Sequence, residues 1–356
     1  MKTILITGGA GFVGSNLAIL YKQEHENVRV ICLDNLKRRG SEFNLDRLKK
    51  NGIEFLHGDI RNKEDLLSLP KIDIILECSA EPSVLAGLDG SPDYLINTNL
   101  IGTLNCLELA RRDSADFIFL STSRVYPIAT INNVDFEESE TRFTISQNQS
   151  IPGVSPHGYS EEFPLNGSRS LYGATKLSSE LIIQEYIEFY KIRGLINRCG
   201  VLTGPWQMGK VDQGIIVFWM ANHVYNLPLG YFGYGGKGKQ VRDILHVKDL
   251  YRLIVKQLNG LDRYNNEIYN VGGSSEVSVS LAELTEYCSR FSGNQVSIRS
   301  VPEDRIADIR IYLSDTSKVR SVTDWKPEIS TERILEEIYE WIFNNKALLE
   351  PIFGRA

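Results

Sequence analysis

Residues 3–14 read Thr-Ile-Leu-Ile-Thr-Gly-Gly-Ala-Gly-Phe-Val-Gly, an apolar, β-branched run that stops on a cluster of glycines. An unbroken apolar run predicts a strand buried on both faces, and so a parallel sheet covered by helices. The absent side chains of Gly8, Gly11 and Gly14 let the backbone turn tightly, admit a pyrophosphate, and let the next helix pack on the strand. The helix that follows, from Ser15, points free N–H groups and a favourable dipole at the phosphates. A glycine pattern alone is weak. Here a strand precedes it and a helix follows it, the context that a dinucleotide-binding turn requires.

The same rhythm continues through the first two hundred residues. Further strands are expected at 28–33, 53–57, 73–78, 117–121 and 195–198, and helices at 15–21, 95–111 and 171–190. This alternation predicts an α/β fold, a Rossmann-type doubly wound parallel sheet with a smaller C-terminal substrate-binding domain. Two stretches break the rhythm. Residues 127–170 are rich in Ser, Asn, Gly and Pro, and a loop of that length is usually functional or disordered. Beyond about Gly200 the pattern is irregular until an amphipathic helix near 331–344. The expected division is 1–198 for the dinucleotide, with part of 239–265 returning to it, and 199–350 mainly for substrate.

Charge narrows the partners. With 39 Lys and Arg against 45 Asp and Glu, the net charge is -6. A nucleic-acid binder would need a basic face, so none is expected. No apolar run reaches the roughly 18 residues of a membrane span, and the chain opens on a strand without a signal-peptide pattern, so a cytoplasmic protein is expected. Cys32, Cys78, Cys106, Cys199 and Cys288 are far apart with no CxxC, which predicts buried free thiols and neither a disulfide framework nor a zinc site. The histidines show no metal spacing, and no metal is expected. Only His157, in the long loop, is a candidate neighbour of a site, with a solvated histidine as the alternative.

Asp34 ends the second strand, twenty residues after Gly14. A carboxylate there binds ribose hydroxyls and repels a 2′-phosphate, which favours NAD over NADP. Lys37, Arg38 and Arg39 keep the phosphate alternative open. Asp59 and Ile60 follow the third strand, where one can bond an adenine amino group and the other cover its face. An ordinary polar turn is the alternative.

Tyr172-Gly-Ala-Thr-Lys176 sets a phenol and an ammonium four residues apart, on one face of a helix. The ammonium favours tyrosinate, turning a group of pKa about 10 into a base usable near neutral pH. Thr122 follows the fifth strand. Its hydroxyl can bond the reacting oxygen and share its proton with Tyr172, or bond its own backbone. Asn99, on the preceding helix, is a candidate to hold a water or a backbone group behind Lys176, with a structural role as the alternative.

Together Gly-Gly-Ala-Gly-Phe-Val-Gly-Ser-Asn at 8–16, Asp34-Asn35-Leu36, His57-Gly-Asp-Ile-Arg-Asn62, the segment from Ser121 to Val125-Tyr126, and the Tyr172–Lys176 pentapeptide resemble the extended short-chain dehydrogenase/reductases over nearly the whole chain. The resemblance implies a retained NAD, a nucleotide-sugar substrate, and a homodimer or homotetramer. It adds Asn35, Ala80 and Asn99 to the cofactor set of Gly8, Gly11, Phe12, Val13, Gly14, Asp34, Asp59, Ile60, Tyr172 and Lys176.

Within that family, Glu140-Thr-Arg-Phe-Thr144, Gly158-Tyr-Ser-Glu161, Asp212-Gln-Gly214, Gly238-Lys-Gln-Val-Arg-Asp243 with Leu245-His246, Arg305-Ile-Ala-Asp308-Ile-Arg310, Asp315 and Asp324-Trp325 resemble the branch that epimerises CDP-paratose and CDP-tyvelose. The resemblance implies 2-epimerisation of a CDP-sugar without net redox change. Tyr172 would take the C2 hydroxyl proton while NAD takes the C2 hydride, and the 2-keto sugar would turn over before the hydride returns. It implies substrate contacts from Thr122, Ser123, Arg198, Gln213, Gly214, Gln240, Arg242 and Arg305. Arg242 and Arg305 suit a diphosphate because guanidinium forks match phosphate oxygens. Residues 231–238 suit a loop over the base, or packing.

Three departures stand out. Pro127 replaces a usual Gly, Ala80-Glu81-Pro82-Ser83 is unlike the better-known members, and Ser123-Arg124 stands where those members have Asn-Lys. A UDP-sugar 4-epimerase uses the same parts and is the alternative. A 4,6-dehydratase carries an Asp-Glu pair after the Thr, which Ser123-Arg124 cannot replace. A non-catalytic dinucleotide-binding protein would tend to lose the Tyr or the Lys.

Overall fold

The computed structural model describes every residue except Asp89, Val211, Asp212, Arg355 and Ala356. Asp212, the first residue of the Asp212-Gln-Gly214 motif, therefore lies outside the described residues. The chain forms two compact units, one of 1–125, 170–198 and 250–269, the other of 126–169, 199–249 and 270–356.

The first unit is built on a seven-stranded sheet in the order Ile268–Val271, Gly194–Cys199, Asp116–Thr122, Ile74–Glu77, Lys2–Thr7, Val28–Asp34, Glu54–His57. The strand Lys2–Thr7 runs parallel to both neighbours, pairing Ile4 with Val30 on one side and with Ile74 on the other. Ile4, Leu5 and Ile6 are fully buried, which is why their run carries no polar alternation. From this strand the chain winds outward to Glu54–His57, then crosses back to Ile74–Glu77. The order reverses beside the C-terminal end of Lys2–Thr7, the place where open α/β sheets bind ligands. Leu5, Ile75, Phe117 and Phe119 share one core with Leu107 of the helix Gly102–Asp113 and Ile183 and Ile187 of the helix Leu171–Tyr190. The helix expected at 95–111 is interrupted by a π-helical turn, Asn97–Ile101, a feature common at functional sites.

The second unit corrects the expectation of irregular chain beyond Gly200. It holds a small sheet of Val201–Thr203, Val241–His246 and Ser278–Ser280, with Ile311–Tyr312 pairing beside it. The helices Ile215–Tyr225, Leu281–Ser292 and Thr331–Asn344 pack on one another. Strands of two to six residues are too short to display a period, and Ile215–Tyr225 is apolar on most sides, so no stripe announces it. Residues 126–169, expected with the dinucleotide domain, cluster here instead. Arg142 is ion-paired to Glu283 at 2.5 Å, and Tyr159 stacks on Tyr312 with ring centroids 5.2 Å apart. Among the described residues no helix is long and apolar enough to cross a membrane.

Candidate active site

The glycine turn leaves no room for side chains. A Cβ on Gly14 would lie 2.3 Å from the Gly8 carbonyl oxygen, and one on Gly9 would lie 2.4 Å from Cys32 Cβ. Gly8 adopts φ +63°, which glycine tolerates. The Gly11 N–H donates to Gly8 O at 2.9 Å and closes the turn. The helix Phe12–Glu24 then starts with no side-chain cap, so its first N–H groups remain for a ligand. This cradle fits a pyrophosphate. Asp34 lies against it, one carboxylate oxygen accepting from the Ala10 N–H at 3.1 Å and the other from the Leu36 N–H at 2.8 Å. Burial raises the Asp34 pKa, and these backbone donors oppose the rise.

The neighbouring adenine candidates are also held. Burial pushes the Asp59 carboxyl up, but hydrogen bonds from Arg61 and Asn35 outweigh it and hold the group down at about 2. Asn35 Nδ2 donates to Asp59 at 2.8 Å. Ile60 is buried and lies where a Cβ on Gly102 would touch it. Its side chain packs in the core of the first unit. Asn99 is fully buried and grips the residue after Ala80. Its Oδ1 accepts from the Glu81 N–H at 2.8 Å, and its Nδ2 donates to Glu81 O at 3.0 Å. Asn99 thus holds the backbone of Glu81.

Ser170 caps the helix Leu171–Tyr190, its hydroxyl accepting from the Gly173 N–H at 3.2 Å. This puts Tyr172 in the first turn and Lys176 one turn on. Both are buried, Lys176 to 1% exposure, and its Nζ lies 3.9 Å from the centre of the Phe119 ring. Thr122 ends its strand, and its hydroxyl accepts from the Arg124 N–H at 3.2 Å. The turn Ser123–Val125 packs on the helix that carries Tyr172. Arg198, expected at the substrate, is instead in a buried ion pair with Glu180 at 2.7 Å, and Glu180 also accepts from the Ser121 hydroxyl at 2.5 Å. A guanidinium buried this deeply needs such a partner, which commits it to the interior of the first unit.

The second unit gathers most of the remaining substrate candidates. Gln240 donates to Phe232 O at 2.5 Å, and the Arg305 guanidinium lies 3.6 Å from the Phe232 ring centre. Arg242 pairs with Asp308 at 3.1 Å and donates to Ile309 O at 2.6 Å. Tyr231 stacks on Trp219, at 5.8 Å between centroids, so it packs. Gln213 and Gly214 lie just before the helix Ile215–Tyr225, with Gly214 at φ +74°. His157 is exposed.

Residues 4–272 match the profile described as the NAD dependent epimerase/dehydratase family. The chain belongs to that family. It is 30% identical over 347 residues to CDP-paratose 2-epimerase of Salmonella typhi, covering 95% of this chain and 98% of the relative. It is 27% identical to UDP-glucuronate 4-epimerase of Thermodesulfobacterium geofontis, covering 99% of each. Among solved structures, the dTDP-glucose 4,6-dehydratase DesIV of Streptomyces venezuelae, with NAD bound, superposes with a TM-score of 0.79 at 26% identity, covering 99% of this chain and 100% of that one.

For this member of the epimerase/dehydratase family, two residues near the candidate groups escaped the sequence reading. Tyr94 lies under Lys37, whose Nζ is 3.3 Å from the ring centre, and its hydroxyl accepts from Asn35 at 3.4 Å. No pattern in its short helix marks it. Glu77 is a fully buried carboxyl at the end of Ile74–Glu77. Its signal was present: it follows Ile75 by two, on the core-facing side of a buried strand.

Proposed function

We propose that this protein holds NAD and inverts C2 of a CDP-hexose of the paratose and tyvelose type, through a transient 2-keto sugar. The 30% identity with the Salmonella typhi CDP-paratose 2-epimerase, spread over 95% of the chain, carries this reading. Ser123-Arg124 adds to it, since neither residue can serve as the acid pair that loss of water requires. NAD, when bound, supplies a hydride acceptor and donor to the sugar carbon. The chain supplies the rest. The glycine turn takes the pyrophosphate and Asp34 faces the adenosine ribose. Tyr172 takes the hydroxyl proton with Lys176 stabilising the phenolate, and Thr122 bonds the reacting oxygen. Gln240, Arg242 and Arg305 serve the nucleotide side.

A CDP-hexose deuterated at C2 tests the chemistry. The product should be inverted at C2 and keep its label in ordinary water, because a transferred hydride does not exchange with solvent. A C4-inverted product would defeat the choice of carbon, and loss of the label would defeat hydride transfer. Offering CDP-, UDP-, GDP- and dTDP-sugars in parallel, with products read by NMR, tests the choice of base.

A further inference from the structure

Glu77 sits in the middle of the sheet, at the end of the strand Ile74–Glu77 that lies between Lys2–Thr7 and Asp116–Thr122. In the parallel register Thr7 pairs with Glu77, and Glu77 pairs with Phe119. Register partners on adjacent parallel strands point to the same face, so Thr7, Glu77 and Phe119 form one row across three strands. Lys176 places its Nζ 3.9 Å from the centre of the Phe119 ring, over the end of that row. A buried carboxyl and a buried ammonium are thus stacked on the same face of the sheet.

The surroundings of Glu77 are sparse. One carboxyl oxygen accepts from the Thr103 hydroxyl at 2.7 Å. The other has no hydrogen-bond partner among the described residues, and neither has the Thr7 hydroxyl. The titratable groups that act on it come from two helices: Lys176, and Cys106, whose thiol is itself pushed well up by burial. Lys176 is the cation of this set. A carboxylate with one oxygen unbonded in such a place either takes a proton or leans on Lys176.

We propose that Glu77 is a positioning residue for the Tyr172–Lys176 pair: its buried carboxyl faces Lys176, and its charge sets how much of the ammonium's field reaches the phenol. Burial raises the Glu77 carboxyl to about 7, and Lys176 and Thr103 keep it from rising further. It therefore changes charge in the range where a tyrosinate base works. With Glu77 neutral, the field of Lys176 acts on Tyr172 undiminished. With Glu77 ionised, part of that field is cancelled and tyrosinate is less favoured. The two protons are coupled through one ammonium.

This inference rests on Tyr172 as the base, and its test does not need the sugar. Glu77→Gln keeps the shape and the bond to Thr103 but cannot ionise. Tyrosinate formation is followed by ultraviolet difference absorbance against pH in the NAD-loaded protein. Subtracting the titration of Tyr172→Phe isolates one phenol from the sixteen tyrosines. In Glu77→Gln, Tyr172 should reach half-titration about one pH unit lower than in the unaltered protein, the effect expected of one nearby charge. Thr103→Val removes a donor that favours the ionised carboxyl, so it should move Tyr172 in the same direction by less. It supplies the test if Glu77→Gln does not fold. A Tyr172 that titrates low but does not move in either variant overturns the inference and leaves the base assignment standing. An ordinary phenol in the unaltered protein overturns both.

Discussion

Gly14 and Glu77 carry their roles for opposite reasons. At Gly14 the backbone needs the absence of an atom, because a Cβ would lie 2.3 Å from the Gly8 carbonyl oxygen and 2.9 Å from Gly9 Cα. Both are backbone atoms that cannot rotate away, so Gly14→Ala must open the turn. The cost should be roughly 1–3 kcal/mol, seen as a lower melting temperature and as loss of NAD from the purified protein. Retention of the full nucleotide would show that the cradle tolerates a methyl. At Glu77 the chain instead needs a buried acid. Its folded carboxyl titrates at about 7 against an ordinary 4.5, so the folded protein keeps a proton that the unfolded chain releases. That contribution is complete below pH 4.5 and is lost as pH rises through 7. Glu77→Gln should therefore match the unaltered protein at low pH and gain on it at pH 8, by on the order of 2–3 kcal/mol, measured by chemical denaturation at both pH values. An equal difference at the two would show that Glu77 does not titrate in this range. Gly14 was legible in the sequence because its constraint is local. Glu77 was missed although its place in a buried strand was legible, because the groups it meets lie on helices that follow it by twenty-five residues or more, Gly102–Asp113 and Leu171–Tyr190.

Elements of the first unit were legible wherever one physical signal set both ends. The helix Leu171–Tyr190 was read to its termini because Ser170 caps its start and its apolar residues recur along it. Six of the seven strands were read to within a residue or two because their apolar runs set the ends, whereas the edge strand Ile268–Val271 was not expected. The π-helical turn at Asn97–Ile101 was invisible, since nothing in Asn-Thr-Asn-Leu-Ile separates it from an α-helix. In the second unit the four-residue strand Leu229–Phe232 is held by its partner Ile298–Val301, far along the chain, and no local pattern records that pairing. The Ser170 cap has a consequence for chemistry. Ser170→Ala leaves the Gly173 N–H without its acceptor and should cost about 1 kcal/mol, loosening the turn that orients Tyr172. Turnover should fall with little change in NAD content, and Ser170→Asp, which still accepts that bond, should restore it. Equal turnover in the Ala variant would show that packing alone orients Tyr172.

For the molecule as a whole, a net charge of -6 repels a nucleotide diphosphate at long range, so binding must come from cations placed locally. The second unit holds two candidates in different settings, and they should fail differently. Arg242 is mostly buried, paired with Asp308 at 3.1 Å and donating to the carbonyls of Val241 and Ile309 at 2.8 and 2.6 Å. Removing it strands a partly buried carboxylate and two carbonyl oxygens, so Arg242→Ala should lower the melting temperature as well as the affinity for CDP. Arg305 is exposed and lies over the Phe232 ring. An exposed cation over a half-buried ring is worth little to the fold, which leaves its guanidinium available to a phosphate. Each charged hydrogen bond to a phosphate is worth roughly 1.5–3 kcal/mol, so Arg305→Ala should weaken CDP binding about tenfold to a hundredfold by calorimetry with the melting temperature unchanged. That loss should shrink as salt is raised, because exposed charges are screened. Unchanged CDP affinity in Arg305→Ala would remove it from the nucleotide site. A loss that does not respond to salt would mean that Arg305 acts by holding Phe232 in place, and not by its charge.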